Sequence, residues 1–271
     1  MIPAPFTYVR AGSVAEAVSL LVEHGDEAKL ISGGHSLLPM MKLRLAFPTV
    51  LVDVSRLSEM SAVRVDGDEL VIGGSVRHCD LEHSDLVKSE VPLIADVARH
   101  IGDRQVRHRG TIGGSLAHAD PAADLPVAVS ALGGTIVLEG PQGRRNVPVD
   151  DFFVGYFETA ASSDEVLVEI RVPRTAGAGW GYQKFVRRAN DWAIVGVAVH
   201  GDRIALSNMG STPVRAVAAE EALQQGQTPV EVGALAGDGS DPITDMHADG
   251  EYRMHLARIL TTRVLETASA R

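Results

Sequence analysis

Cys79 is the only cysteine in the 271 residues, so the chain forms no intrachain disulfide and cannot by itself hold a cysteine-ligated zinc ion or an iron–sulfur cluster. Aromatic residues make up just 4%, which leaves Val, Leu, Ile and Ala to build a core, as mixed α/β layers do. Positive charge is scarce too: 25 Lys and Arg against 35 Asp and Glu leave a formal net charge of -10. That balance argues against broad nucleic-acid binding, which needs clustered cations on phosphates. No apolar run reaches the roughly 18 residues of a transmembrane segment. The opening MIPAPFTYVR lacks the basic-then-apolar order of a signal peptide. A soluble, cytoplasmic protein is therefore expected. What remains, 45% hydrophobic and 22% charged, suffices for one large domain or two to three small ones.

Three stretches of patterned sequence emerge from what is present. TYVRAGSVAEAVSLLVEHG predicts a strand and then a helix, with Ser13 as N-cap, Glu16 closing a capping box and Gly25 as the stop. AKLISGG follows as a buried strand and TVLVDVS as another, giving a β-α-β-β order. From Ser61, AVRVDGDELVIGGS predicts a hairpin turning at Asp66 and Gly67, then helices around Leu81 to Lys88, Pro92 to His100 and Ala122 to Leu132. A hairpin in TIVLEGPQGRRNVPV and the strand EVLVEIRVP complete that lobe. After the turn-rich RTAGAGWG come three antiparallel strands, YQKFVR, AIVGVAV and RIALSNMGS, a helix opened by Pro213, and a closing amphipathic helix, EYRMHLARILTTRVLE. The expected division is 1–176, with sub-lobes of about 1–58 and 59–176, and 177–271.

Two glycine pairs carry the chemistry. LISGGHSLLPMMKLRLA holds Gly33 and Gly34 beside Ser32, His35 and Ser36; TIGGS holds Gly113 and Gly114 between Thr111, Ile112 and Ser115. Bare glycines let a chain turn tightly and bring N–H groups close to an anion such as a phosphate. Neither pair supplies G-x-G-x-x-G running into a helix, since Pro39 interrupts the first and His118 to Pro121 follow the second, and no G-K-[ST] follows either. The pattern therefore predicts a dinucleotide whose pyrophosphate lies between two loops.

AKLISGGHSLLPMMKLRLA, QVRHRGTIGGSLAHADPAADLP and YQKFVRRANDWAIVGVAV, in that order, resemble the FAD-binding medium subunit of the aerobic carbon monoxide dehydrogenase and xanthine dehydrogenase family of molybdenum hydroxylases. The resemblance implies an α+β fold: a two-lobed FAD-binding domain of the vanillyl-alcohol-oxidase (PCMH) type, then a C-terminal domain with an antiparallel sheet and helices. It implies non-covalent FAD, held by Ser32, Gly33, Gly34, His35 and Ser36 and by Thr111, Ile112, Gly113, Gly114 and Ser115. Lys29 would lie at the flavin-facing end of the first motif, Asp124 on ribityl or ribose hydroxyls, and Leu167 against the flavin or adenine. Lys184 would stand near the isoalloxazine carbonyl, and Trp192 would cover one face of the ring in place of a family tyrosine. Implied partners are a large subunit with the molybdenum cofactor and a small subunit with two 2Fe–2S clusters, as a dimer of heterotrimers. Electrons would pass from those clusters through FAD to an external acceptor; a free-standing flavoenzyme of related fold is the alternative. The substrate of the large subunit, whether carbon monoxide, an aldehyde, a purine or another N-heterocycle, stays open, and with it the acceptor.

Other polar clusters admit simpler readings. Cys79 and His83 share helical i, i+4 spacing that suits a metal, yet nothing elsewhere completes a ligand set. Asp120 and Asp124 read as helix-capping carboxylates as readily as an acid/base pair. Met40 and Met41 read as core filler or as contacts to a partner or the flavin edge, His35 as a positioning or solvated side chain, and Arg187 and Arg188 as phosphate-facing or exposed.

Overall fold

The computed structural model describes residues 2–175 and 177–268. The expected boundary at 176/177 adjoins Ala176, which lies outside the described residues. Among the described residues three larger sheets organise the chain, one for each patterned stretch, with a two-stranded pair, Phe153–Gly155 and Glu158–Thr159, beside them. In the first, the strands Thr7–Arg10 and Ala28–Ile31 flank Val50–Asp53, all parallel. The helix Val14–His24 covers this sheet with Val14, Ala17, Val18 and Leu21, the i, i+3, i+4, i+7 stripe. Ser13 accepts the N–H of Glu16 at 3.1 Å, but the Glu16 carboxylate accepts from Gly12 rather than from Ser13, so the expected capping box closes one residue early. Gly25 ends the helix at φ 51°. The expected buried strand AKLI is buried only at Ala28, because it forms an edge of its sheet.

The second sheet is antiparallel, in the order Val63–Asp66, Glu69–Gly73, Val166–Pro173, Thr135–Gly140, Gly143–Pro148. Both its faces are covered, and the two-residue period sorts the side chains. Ile136 and Leu138 pack with Leu70, Ile72 and the helical layer, whereas Val137 joins Val166 and Val168 against the first lobe. A bulge between Leu167 and Glu169 shifts the alternation by one residue, so Leu167 and Ile170, three positions apart, share one cluster while Val166 and Val168 lie in the other.

The third sheet runs Trp180–Phe185, Val195–His200, Arg203–Ser207, Val214–Arg215, antiparallel throughout. Pro213 therefore precedes a short strand, and the helix expected from it begins at Val217. On one face Val195, Val197, Val199, Ile204 and Leu206 pack with the layer containing the helices Val217–Gln224, Pro229–Ala234 and Gly250–Ala268. On the other, Tyr182, Ala198 and Ala205 meet the helix Asp124–Leu132, whose nine residues are all buried. That helix is the spine between the two larger lobes, and its N-terminus opens on the cavity described next.

Candidate functional site

A cavity of about 650 Å³ lies among the lobes, walled by Ser32 to Ser36, by Thr111 and Gly113 to Ser115, by Leu167 and by Asn190 to Trp192. Pockets for small ligands run to roughly 300–1,000 Å³, so the space suits a large one. Both glycine motifs border it, and the structure shows why each is bare. A Cβ on Gly33 would stand 2.2 Å from the carbonyl oxygen of Arg109, and one on Gly113 would stand 2.5 Å from that of Gly74. These glycines let backbone lie on backbone, which brings the motifs together. Only Gly34, at φ 74°, takes the left-handed conformation.

The two motifs differ in what they leave free. After Ile31 the chain turns through Ser32 to Ser36 into a short helix, Leu37–Lys42. Pro39 does not interrupt this helix; it sits in the first turn, where a missing N–H costs least. Among the described residues, the N–H groups of Gly33, Gly34, His35 and Ser36 donate to no protein acceptor. Four neighbouring unpaired N–H groups at a cavity wall suit an anion. TIGGS, expected as a loop, is instead the start of the helix Ile112–His118, with Thr111 as its N-cap. Its N–H groups are committed: Ile112 to Val76, Gly113 to Gly74, Gly114 to the Thr111 hydroxyl at 3.2 Å, and Ser115 to the Thr111 carbonyl. The paired N–H grip is thereby corrected to a one-sided one. Ile112 is fully buried in the core and off the cavity wall, as its place in an apolar turn requires.

The remaining site residues occupy distinct layers. Lys29 is exposed on the edge strand and borders the cavity. Ser32 donates its hydroxyl to Ser75, 3.3 Å away, which itself donates to Val54. His35 is exposed, its Nδ1 3.3 Å from the Gly33 carbonyl. Asp124, 7% exposed, borders the cavity at the N-terminus of its helix. Its carboxylate accepts from the Tyr182 hydroxyl and, at 3.0 Å, from Lys184 Nζ. Burial pushes the Asp124 carboxyl above its ordinary range, against the pull of Lys184 and Tyr182. The same burial, with Asp124 beside it, pushes the Tyr182 hydroxyl well above the usual phenol range. Lys184 lies behind Asp124 and does not border the cavity, so the cation expected near a ligand carbonyl is one layer back. Trp192 borders the cavity with 66% of its surface exposed, its indole N–H donating to Asp120 at 3.0 Å.

Two contributors escaped the sequence reading. Gly73 and Gly74, in VIGGS, form a third glycine pair, and a Cβ on Gly74 would stand 2.3 Å from the Leu167 carbonyl; the repeated IGGS was the available signal. His78 borders the cavity beneath Gly110, with its Nδ1 buried and unpartnered. Burial, helped by the charges of His35 and Arg107, holds its imidazole down to about 4. No group of His, Cys, Asp and Glu able to hold a metal occurs among the described residues; His83 Nδ1 simply meets the Cys79 carbonyl. Asp120 caps a tight turn through Ala122 N–H, Met41 is core, Met40 borders the cavity, and Arg187 and Arg188 are exposed. No helix among the described residues is long and apolar enough to cross a membrane.

Residues 4–175 match the family model for the FAD binding domain in molybdopterin dehydrogenase, and residues 180–268 that for the CO dehydrogenase flavoprotein C-terminal domain. The chain is 43% identical to the carbon monoxide dehydrogenase medium chain of Hydrogenophaga pseudoflava, covering 100% of this chain and 99% of that one. It is 33% identical to the caffeine dehydrogenase subunit beta of a Pseudomonas species, over 100% and 97%. Among solved structures, carbon monoxide dehydrogenase from Hydrogenophaga pseudoflava superposes with a TM-score of 0.96 at 45% identity, over 100% and 99% of the two chains.

Proposed function

The chain belongs to the FAD-binding medium subunits of the carbon monoxide dehydrogenase and xanthine dehydrogenase family of molybdenum hydroxylases, and from that premise we propose that it carries electrons between partner subunits and an external acceptor. The observation that carries this reading is the free N–H row of Gly33 to Ser36 facing a cavity shared by both glycine motifs. The residues fit FAD. Backbone donors at Gly33 to Ser36 take the pyrophosphate, and the Thr111 and Ser115 hydroxyls bound it from the other side. Asp124 accepts from hydroxyls of the linking chain. Leu167 supplies an apolar floor, and Trp192 an aromatic cover. Bound FAD supplies an electron carrier able to serve one-electron and two-electron partners, and the protein supplies position and electrostatics.

The single cysteine supports placing the iron–sulfur clusters on a small partner subunit. The molybdenum cofactor and the substrate belong to a large one, in a complex of two heterotrimers. Residues 1–176 form the FAD-binding unit in this reading and 177–271 the C-terminal unit, which closes the cavity through Trp192. Purification of the native complex followed by assay of FAD, iron and molybdenum tests the proposal. All three are expected, with a flavin band that bleaches on dithionite. An active, molybdenum-free monomer would overturn it.

A further inference from the structure

Asn208 lies just past the strand Arg203–Ser207, at φ 60°. Its backbone N–H donates to the Pro121 carbonyl at 2.8 Å and its side-chain amide to the Ala193 carbonyl at 3.0 Å. Pro121 directly follows Asp120 and Ala193 directly follows Trp192, so this one residue grips the neighbours of both partners in the indole–carboxylate bond over the cavity. We infer that Asn208 is a positioning residue for Trp192, and that the aromatic cover depends on this clamp more than on the exposed bond to Asp120. The inference rests on the proposed FAD site only for what Trp192 covers.

Three observations carry it. The Trp192–Asp120 bond is solvent-exposed, and exposed polar pairs hold geometry weakly. Asn208 is half-buried, and its two bonds span the segment before the helix Asp124–Leu132 and the loop that carries Trp192. The position also asks two things of one side chain: tolerance of a left-handed backbone and a donor aimed at a carbonyl. Asparagine meets both; glycine meets the first alone, and aspartate meets the first but turns an acceptor toward the carbonyl.

The test uses the full chain labelled with 5-fluorotryptophan, whose two tryptophans give two fluorine resonances, assigned with Trp192→Phe. Asn208→Gly and Asn208→Asp should each shift and broaden the Trp192 resonance and leave that of Trp180 in place. Loss of one such bond moves an open–closed equilibrium roughly 5-fold, so in the FAD-loaded chain iodide should quench flavin emission more strongly in both variants. Adding Asn208→Gly to Trp192→Phe should add nothing further. An unmoved Trp192 resonance overturns the inference, as does a flavin effect of equal size in the Trp192→Phe background. So does Asp120→Ala displacing Trp192 as far as Asn208→Gly, since the indole bond would then be the anchor. A chain that takes up no FAD defeats the functional proposal, while the fluorine spectra of the unloaded protein still decide the clamp.

Discussion

Lys184 and Asp124 form a buried pair, Nζ to Oδ2 3.0 Å, with side chains 8% and 7% exposed, joining the first strand of the C-terminal sheet to the N-terminus of the helix Asp124–Leu132. Lys184 also donates to the Asp191 carbonyl at 3.2 Å, so one ammonium ties the Trp192 loop to a cavity-lining carboxylate. Removing one member of a buried pair strands the other charge and costs about 3–5 kcal/mol. Lys184→Met should therefore destabilise the chain by about that much in urea unfolding, whereas Asp124→Asn combined with Lys184→Met should recover part of the loss. Equal stability of the two variants would show that the pair is not coupled.

Gly33 and Gly34 are adjacent, yet they are bare for different reasons, and substitution separates them. An alanine at Gly34 meets the left-handed penalty of roughly 1–2 kcal/mol, with only the flexible ends of Leu38 and Ile31 nearby. An alanine at Gly33 meets the Arg109 backbone at 2.2 Å, where no rotamer can relieve the clash. Gly33→Ala should be the more destabilising in thermal unfolding and should lose FAD content along with stability. Gly34→Ala should keep most of its stability and bind FAD less tightly, because the N–H row is re-aimed.

Periodicity made much of this legible. The apolar stripe of Val14–His24, the alternation in Thr135–Gly140 and the strand triplet after residue 179 all follow from local pattern, although the last strand, expected through Ser211, stops at Ser207. The two motif sequences were legible as glycine pairs at a shared site. What local pattern could not show was which groups remain free. Gly113 looks like a loop residue until Gly74, 39 positions earlier, takes its N–H. Likewise, Lys184 looks like a ligand-facing cation until the C-terminal sheet packs on Asp124–Leu132 and sets it behind Asp124. Both are consequences of long-range packing.

His78 gives the stability curve a definite sign. Its folded pKa, about 4, is below the ordinary value of 6.5, so between those values the unfolded chain binds a proton that the folded chain refuses. Stability from this group is complete above pH 6.5, falls as pH drops toward 4, and by linkage amounts to about 3 kcal/mol in all. His78→Gln should flatten the pH dependence of urea midpoints between pH 6.5 and 4. An unchanged slope would place the titration on another group. Because the ring supports Gly110, which follows Arg109 under the Gly33 loop, FAD should also leave the wild-type chain more readily in the same acid range.

Arg253 is the largest wholly buried side chain among the described residues, 0% exposed, and each of its three guanidinium nitrogens makes a hydrogen bond. It donates to the carbonyls of Ile194 and Ile243 and, at 2.7 Å, to Asp245. Ile194 itself donates to Phe185, closing the loop that presents Asn190, Asp191 and Trp192 to the cavity. A lysine is a single point donor on a flexible stem and cannot meet three acceptors set in a fork. Each buried acceptor left unpaired costs about 1–3 kcal/mol. Arg253→Lys should lower the melting temperature by several degrees while keeping the charge opposite Asp245, and Arg253→Met should lower it further. If the loop is held from behind by Arg253 and from the side by Asn208, Arg253→Lys will also raise iodide access to bound flavin. Asp241→Asn, in the stretch between the helices Pro229–Ala234 and Gly250–Ala268 that also carries Ile243 and Asp245, changes no side chain bonded to Arg253 and should leave both readouts at the wild-type level.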